Sequence, residues 1–203
     1  MTDRLDQLVE AARPLLSRVD TVLSMVGAPE GHHVWPELRR VRLLPGDAVR
    51  AVCDLHPEAI LESIPELRAN VRAYADLADA LPMSEAWSGE AADAYEQARR
   101  RAAEHLNGGP DSLSHRMEAT ANLADALAEW MTRARGDVAM ALAEAMGSAE
   151  AVTLSAGSDL PPDEEARAAA NVAALLLQAI ADSYDRGEAL LDDSAPLQNV
   201  LLA

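Results

Sequence analysis

From Ile60 to Leu81 the apolar residues step by four, three, four, three, four and three, through Ile64, Leu67, Val71, Tyr74 and Ala78. Such stepping keeps one stripe on one side of an α-helix, whereas strand side chains change face at every residue. The same rhythm occurs at Leu5, Leu8, Ala12, Leu15, Val19, Val22 and Val26. It recurs for nine steps through Leu113, Met117, Thr120, Ala124, Leu127, Met131, Ala134, Val138, Ala141 and Ala145. Several long stripes must bury one another, so the expected fold is all-α, an elongated bundle of four to five long antiparallel helices. Composition points the same way: 42 Ala and 28 Leu stand against 21 Val, Ile and Thr together, and Phe is absent.

Breakers set the expected boundaries within a single domain over 1–192. The spacing predicts a helix over 3–27, with Pro14 inside it as a kink or a break and Gly27 at its end. Residues 28–56 read as an irregular connector, because Pro29, Gly31, Pro36, Pro45 and Gly46 leave room only for short helical turns. A hairpin follows from helices over 57–82 and 90–106. Ser63 and Glu66, with Pro65 between them, offer an alternative start by a capping box, with a short helix before it. On the second arm Ala91, Tyr95, Ala98, Ala102 and His105 form the expected inner face. Asn107-Gly108-Gly109-Pro110 breaks the chain, and Asp111 or Ser112 caps a long helix over 112–147. Residues 153–160 read as a loop, Pro161-Pro162-Asp163-Glu164-Glu165 opens a last helix over 162–192, and 193–203 reads as a flexible tail.

Charge narrows the function classes. Seventeen Arg, no Lys and 34 acidic residues give a net charge of −17, which repels phosphate backbones and anionic membrane surfaces, so neither nucleic acid nor membrane insertion is expected. The most apolar stretch, Ala168 to Ala181, is too short and carries Asn171 and Gln178. The N-terminus lacks a basic n-region, so synthesis in the cytoplasm without a Sec signal is expected.

Searches for chemistry find little to assemble. Without Lys there is no P-loop lysine or Schiff base, and neither G-x-G-x-x-G nor G-x-S-x-G occurs. A di-iron bundle needs two Glu-x-x-His pairs, and the single match, Glu30 with His33, sits in the connector. The pair His32-His33 reads first as an exposed loop pair and second as metal ligands. Cys53 reads first as an inert thiol and second as a partner of His56. No enzyme activity, metal or cofactor is expected. The run Arg99-Arg100-Arg101 reads as charge pairing with neighbouring acids, or as a docking site for an acidic partner.

One motif stands out between the two heptad-patterned arms: Ala86-Trp87-Ser88-Gly89-Glu90-Ala91-Ala92. Gly89 lets the chain reverse in little space, and Trp87 offers a large apolar body to seal a helical end. Trp-x-Gly at a hairpin turn, followed by a small-residue helix carrying Tyr95, resembles the WXG-motif family of helical proteins exported by type VII (ESX) secretion systems, to which the PPE proteins are related. The resemblance covers about residues 57–106 and implies a non-enzymatic helical protein that is a secreted substrate or component of such a system. It implies a protein partner: secretion machinery, a partner helix or a second copy. It further implies an export signal of the form Tyr-x-x-x-Asp/Glu, which Tyr184 and Glu188 fit one helical turn apart. Typical members are single hairpins, so the flanking helices here depart from the pattern. The alternative reading is a cytosolic adaptor or chaperone-like protein holding a partner helix.

Overall fold

The computed structural model describes residues 4–83, 88–156 and 161–199. Every regular element among them is an α-helix. In chain order these are α1 (Arg4–Met25), α2 (Val34–Val41), α3 (Pro45–Cys53), α4 (Pro57–Leu61), α5 (Ile64–Asp79), α6 (Glu90–Asn107), α7 (Leu113–Met146), α8 (Ala149–Ser155) and α9 (Pro162–Asn199). They divide into two compact units where one domain over 1–192 was expected: Met1–His56 with Glu129–Ala189, and Pro57–Ala128 with Leu190–Ala203.

The first unit gathers around α9. From Ala166 to Ser183 all residues of that helix but Arg167, Gln178 and Asp182 are buried or half-buried, with Leu176, Leu177 and Ile180 showing no exposed surface. A helix with so wide an apolar face has to be largely covered by its neighbours, which accounts for the apolar stretch from Ala168 to Ala181. Among the described residues no helix is long and apolar enough to cross a membrane. Around it lie the stripe of α1 (Leu5, Ala12, Val19, Val22) and the second half of α7 (Ala134, Val138, Leu142, Ala145). Alanine at so many of these positions lets helix axes approach closely. Helix α1 runs on through Pro14, which is exposed, and only Val26 of its predicted stripe ends up outside, 57% exposed beyond the helix end.

The connector over 28–56 is corrected by α2 and α3. Their prolines start helices rather than break them: Pro45 is the first residue of α3, and Pro36 lies in the first turn of α2, where backbone N–H groups have no intrahelical acceptor. Arg42 ends α2 in the left-handed conformation, φ 60°, its N–H donating to the Leu38 carbonyl at 2.9 Å. Both ends of α3 are satisfied from other helices. Asp20 of α1 accepts from the Gly46 N–H at 3.0 Å. At the other end Arg135 of α7, only 7% exposed, donates to the carbonyls of Cys53 and, at 3.1 Å, Leu55, and pairs with Asp6 at 2.9 Å.

The second unit is built on the hairpin α5–α6. The first arm begins at Ile64 after the separate short helix α4, the alternative start given by Ser63, although Ser63 makes no capping bond and donates instead to the Ile60 carbonyl at 2.8 Å. All seven residues of its stripe are buried or half-buried. On α6 the packed face is turned by one residue from the expected one: Ala92 is buried and Tyr95, Glu96, Arg99, Ala103 and Leu106 half-buried, while Ala91, Ala98, Ala102 and His105 are exposed. On the packed side Glu96 and Arg99 pair with each other where alanines were expected. Buried Ser112, the second of the two expected caps, precedes α7 and its hydroxyl accepts from the His115 N–H at 3.4 Å.

Two further boundaries shift. Residues 149–155, partly expected as loop, form α8, capped by Ser148, which accepts from the Ala151 N–H at 3.1 Å. Helix α9 continues past 192 to Asn199, so residues 193–199 of the expected flexible tail are helical, carried forward by the helix formers Ala189, Leu190 and Leu191.

Candidate functional site

Of the turn motif, Trp87 lies outside the described residues, as do 84–86. Ser88 is exposed. Gly89 stands at φ 98°, ψ −173° immediately before α6, and its carbonyl accepts from Ala92 N–H at 2.9 Å and Asp93 N–H at 3.1 Å. An L side chain rarely adopts that backbone conformation, so the glycine of Trp-Ser-Gly has a conformational reason to be there. Tyr95, one turn into α6, donates its hydroxyl proton to the Pro82 carbonyl at 2.8 Å. Thus the second arm holds the end of the first.

The arginine run is tied up locally. Arg99 makes a two-pronged contact with Glu96 (2.8 and 2.7 Å), and Arg100 donates to the same carboxylate at 3.1 Å. Those contacts, Arg99 foremost, bring the Glu96 carboxyl down to about 2. Arg101 turns its Nε to the Gln97 carbonyl at 3.3 Å. Two of the three guanidinium groups a docking partner would read therefore share one glutamate, which offsets a third of the run's charge.

Tyr184 and Glu188 sit within α9, well before its end at Asn199. Glu188 is exposed, whereas Tyr184 is half-buried and packs against the first unit's core, and burial pushes its phenol up. Charged contacts frame it: Arg40 of α2 pairs with Asp185 at 2.6 Å and Asp182 at 3.4 Å, and Arg186 pairs with Asp137 of α7. The turn motif and the Tyr184–Glu188 pair belong to different units.

Sequence reasoning missed what the histidine pair does. His32 Nε2 lies 3.0 Å from Asn171 Oδ1 of α9, its Nδ1 accepts from the Val34 N–H at 3.1 Å, and its ring stacks on His33 with centroids 4.2 Å apart. Asn171 in an otherwise apolar run was the available signal, since a buried amide needs partners. His56, weighed as a partner for Cys53, directs Nδ1 to the Asp54 carbonyl at 2.6 Å. Among the described residues no group of three or more His, Cys, Asp or Glu is placed to hold a metal ion. A cleft of about 640 Å³ between α1 and α3 is lined by Arg13, Ser17, Asp20, Gly46 and Arg50, without a nucleophile and base in contact. No protein-family model, no curated protein and no solved structure matches this chain.

Proposed function

We propose that this chain is a non-enzymatic WXG-like helical protein, a secreted substrate or component associated with a type VII (ESX) secretion system. The observation that carries the reading is the hairpin: two arms packed on each other, a glycine at φ 98° opening the second, and Tyr95 bonded back to Pro82. In this reading Trp87 and Gly89 are structural, the remaining long helices are additions to the hairpin, and Tyr184 with Glu188 is the pair read for export. A second reading is an adaptor that holds a partner helix, favoured by apolar side chains left outside on the hairpin, Leu77 at 51% and Met83 at 65% exposure. It would keep the protein in the cytoplasm.

Export from the native host separates the two. Wild type, Glu188→Ala and Tyr184→Phe are followed by immunoblotting medium and cell pellet, with a cytosolic marker for lysis. Glu188 is exposed, so its truncation leaves packing intact. Wild type in the medium with Glu188→Ala retained supports the export reading; wild type confined to the pellet with a co-purifying helical protein supports the adaptor.

A further inference from the structure

Two contacts set how α1 and α3 lie against each other. Asp20, toward the end of α1, accepts from the Gly46 N–H at the start of α3 at 3.0 Å. Arg135 joins Asp6, toward the start of α1, to the Cys53 carbonyl at the end of α3. The two helices therefore run antiparallel, and Arg50, one turn beyond Gly46, stands on the Arg13 side of Asp20.

The cleft of about 640 Å³ along this pair has an order of charge. Asp20 lies at one end, and Arg13 lies seven residues, about 10 Å, back along α1, while Arg50 reaches the same cleft from α3. Buried Leu16 and half-buried Val9 add apolar lining. Each charged group has bonding capacity left over. Among the described residues Arg13 gives only Nη2 to Glu10, Arg50 gives only Nη2 to Asp47, and Asp20 uses only Oδ1 for Gly46. A Cβ on Gly46 would collide with Asp20 Oδ2, so the glycine is what admits the carboxyl to this end of the cleft.

We propose that this cleft binds a short zwitterionic peptide of about two or three residues, its ammonium on Asp20 and its carboxylate between Arg13 and Arg50. An extended chain covers at most about 3.5 Å per residue, so its two ends reach the two ends of the cleft. An anion alone would meet the Asp20 carboxyl, and a cation alone would meet two guanidinium groups; a zwitterion with its charges apart is complementary to both. An apolar side chain of the peptide rests on Leu16 and Val9. Burial raises the Asp20 carboxyl, and an ammonium beside it offsets that desolvation. This site stands independently of the export reading.

The test follows ¹H–¹⁵N shifts of the full labelled chain at pH 7 as the peptide Ala-Leu-Ala is added to about 10 mM, beside its N-acetyl and C-amide forms. Saturable shifts are expected at the Gly46 N–H and along α1 and α3, with each capped form binding about tenfold or more weakly, because a hydrogen bond between charged groups is lost. Asp20→Asn keeps an acceptor for Gly46 and is expected to remove the preference for a free amine, while Arg50→Gln, at an exposed position, is expected to narrow the preference for a free carboxylate. No saturable shift over this range, a capped form that binds as well as the free peptide, or a preference for the free amine that survives in Asp20→Asn overturns the proposal. The capped peptides on wild type decide without either variant.

Discussion

A Cβ built on Gly187 would stand 2.8 Å from the indole carbons of Trp130, so this glycine of α9 is the floor on which the tryptophan of α7 lies. The same indole donates Nε1–H to the Ser183 carbonyl at 2.8 Å, one turn earlier on α9. Gly187 thus falls inside the Tyr184–Glu188 interval for a packing reason, and any receptor reading that interval meets a helix whose backbone is covered by a ring on one side.

Replacing Gly187 tests that contact. In an exposed helix interior Gly→Ala stabilises by about 1 kcal/mol, but here the added methyl overlaps the ring. Gly187→Ala is expected to lower stability by about 1–3 kcal/mol, read from urea unfolding midpoints at equal slope. A midpoint equal to or above wild type would mean that the ring moves aside freely.

Arg135 is buried in the first unit, and it donates to the carbonyls of Cys53 at the end of α3 and of Leu55 just beyond it. Arg135→Met keeps much of the volume and removes every donor. A loss of about 2–4 kcal/mol is expected, with early loss of amide protection in α3. Unchanged protection in α3 would show that the carbonyls find water instead.

Asp20 gives the first unit a pH dependence of definite sign. Burial raises its carboxyl above the usual range, only partly offset by the Gly46 N–H. A raised acid stabilises the fold in its protonated form, below the ordinary carboxyl range, and that contribution is lost as the pH rises through the raised value. Asp20→Asn keeps an acceptor for Gly46 and removes the charge. Its stability at pH 7 is expected to equal or exceed that of wild type, with wild type gaining on it as the pH falls toward 4. A wild type that is the more stable at pH 7 would mean that the negative charge at the start of α3 outweighs its desolvation.

How much of this was legible follows from which forces act locally. The stripe of α5 emerged as read, because heptad spacing and burial are the same fact seen twice. The connector did not, because Pro36 and Pro45 look like breakers until their first-turn positions are known. The face of α6 came out one residue off: the pairing of Arg99 with a neighbouring acid was readable, but not that Glu96 and Arg99 stand on the half-buried side. Arg135 beside Ala134 and Val138, and Asn171 between Ala170 and Val172, were the readable signs of buried polar contacts, yet their partners are at least 20 residues away in the chain and only the fold names them.

Gly89 offers the sharpest check on the hairpin. Nothing lies within 4 Å of where its Cβ would be, so the cost of any side chain there comes from the backbone alone, held at φ 98°. Gly89→Ala is expected to destabilise by about 1–3 kcal/mol, whereas exposed Ser88→Ala should stay within about 0.5 kcal/mol of wild type. Tyr95→Phe removes the bond to the Pro82 carbonyl and should cost about 0.5–1.5 kcal/mol. Both losses belong to the same turn, so hydrogen exchange should rise in α5 and α6 and not in α1 or α3. If Gly89→Ala is neutral, the reversal between the arms does not depend on that conformation, and the glycine of the motif loses its structural reason.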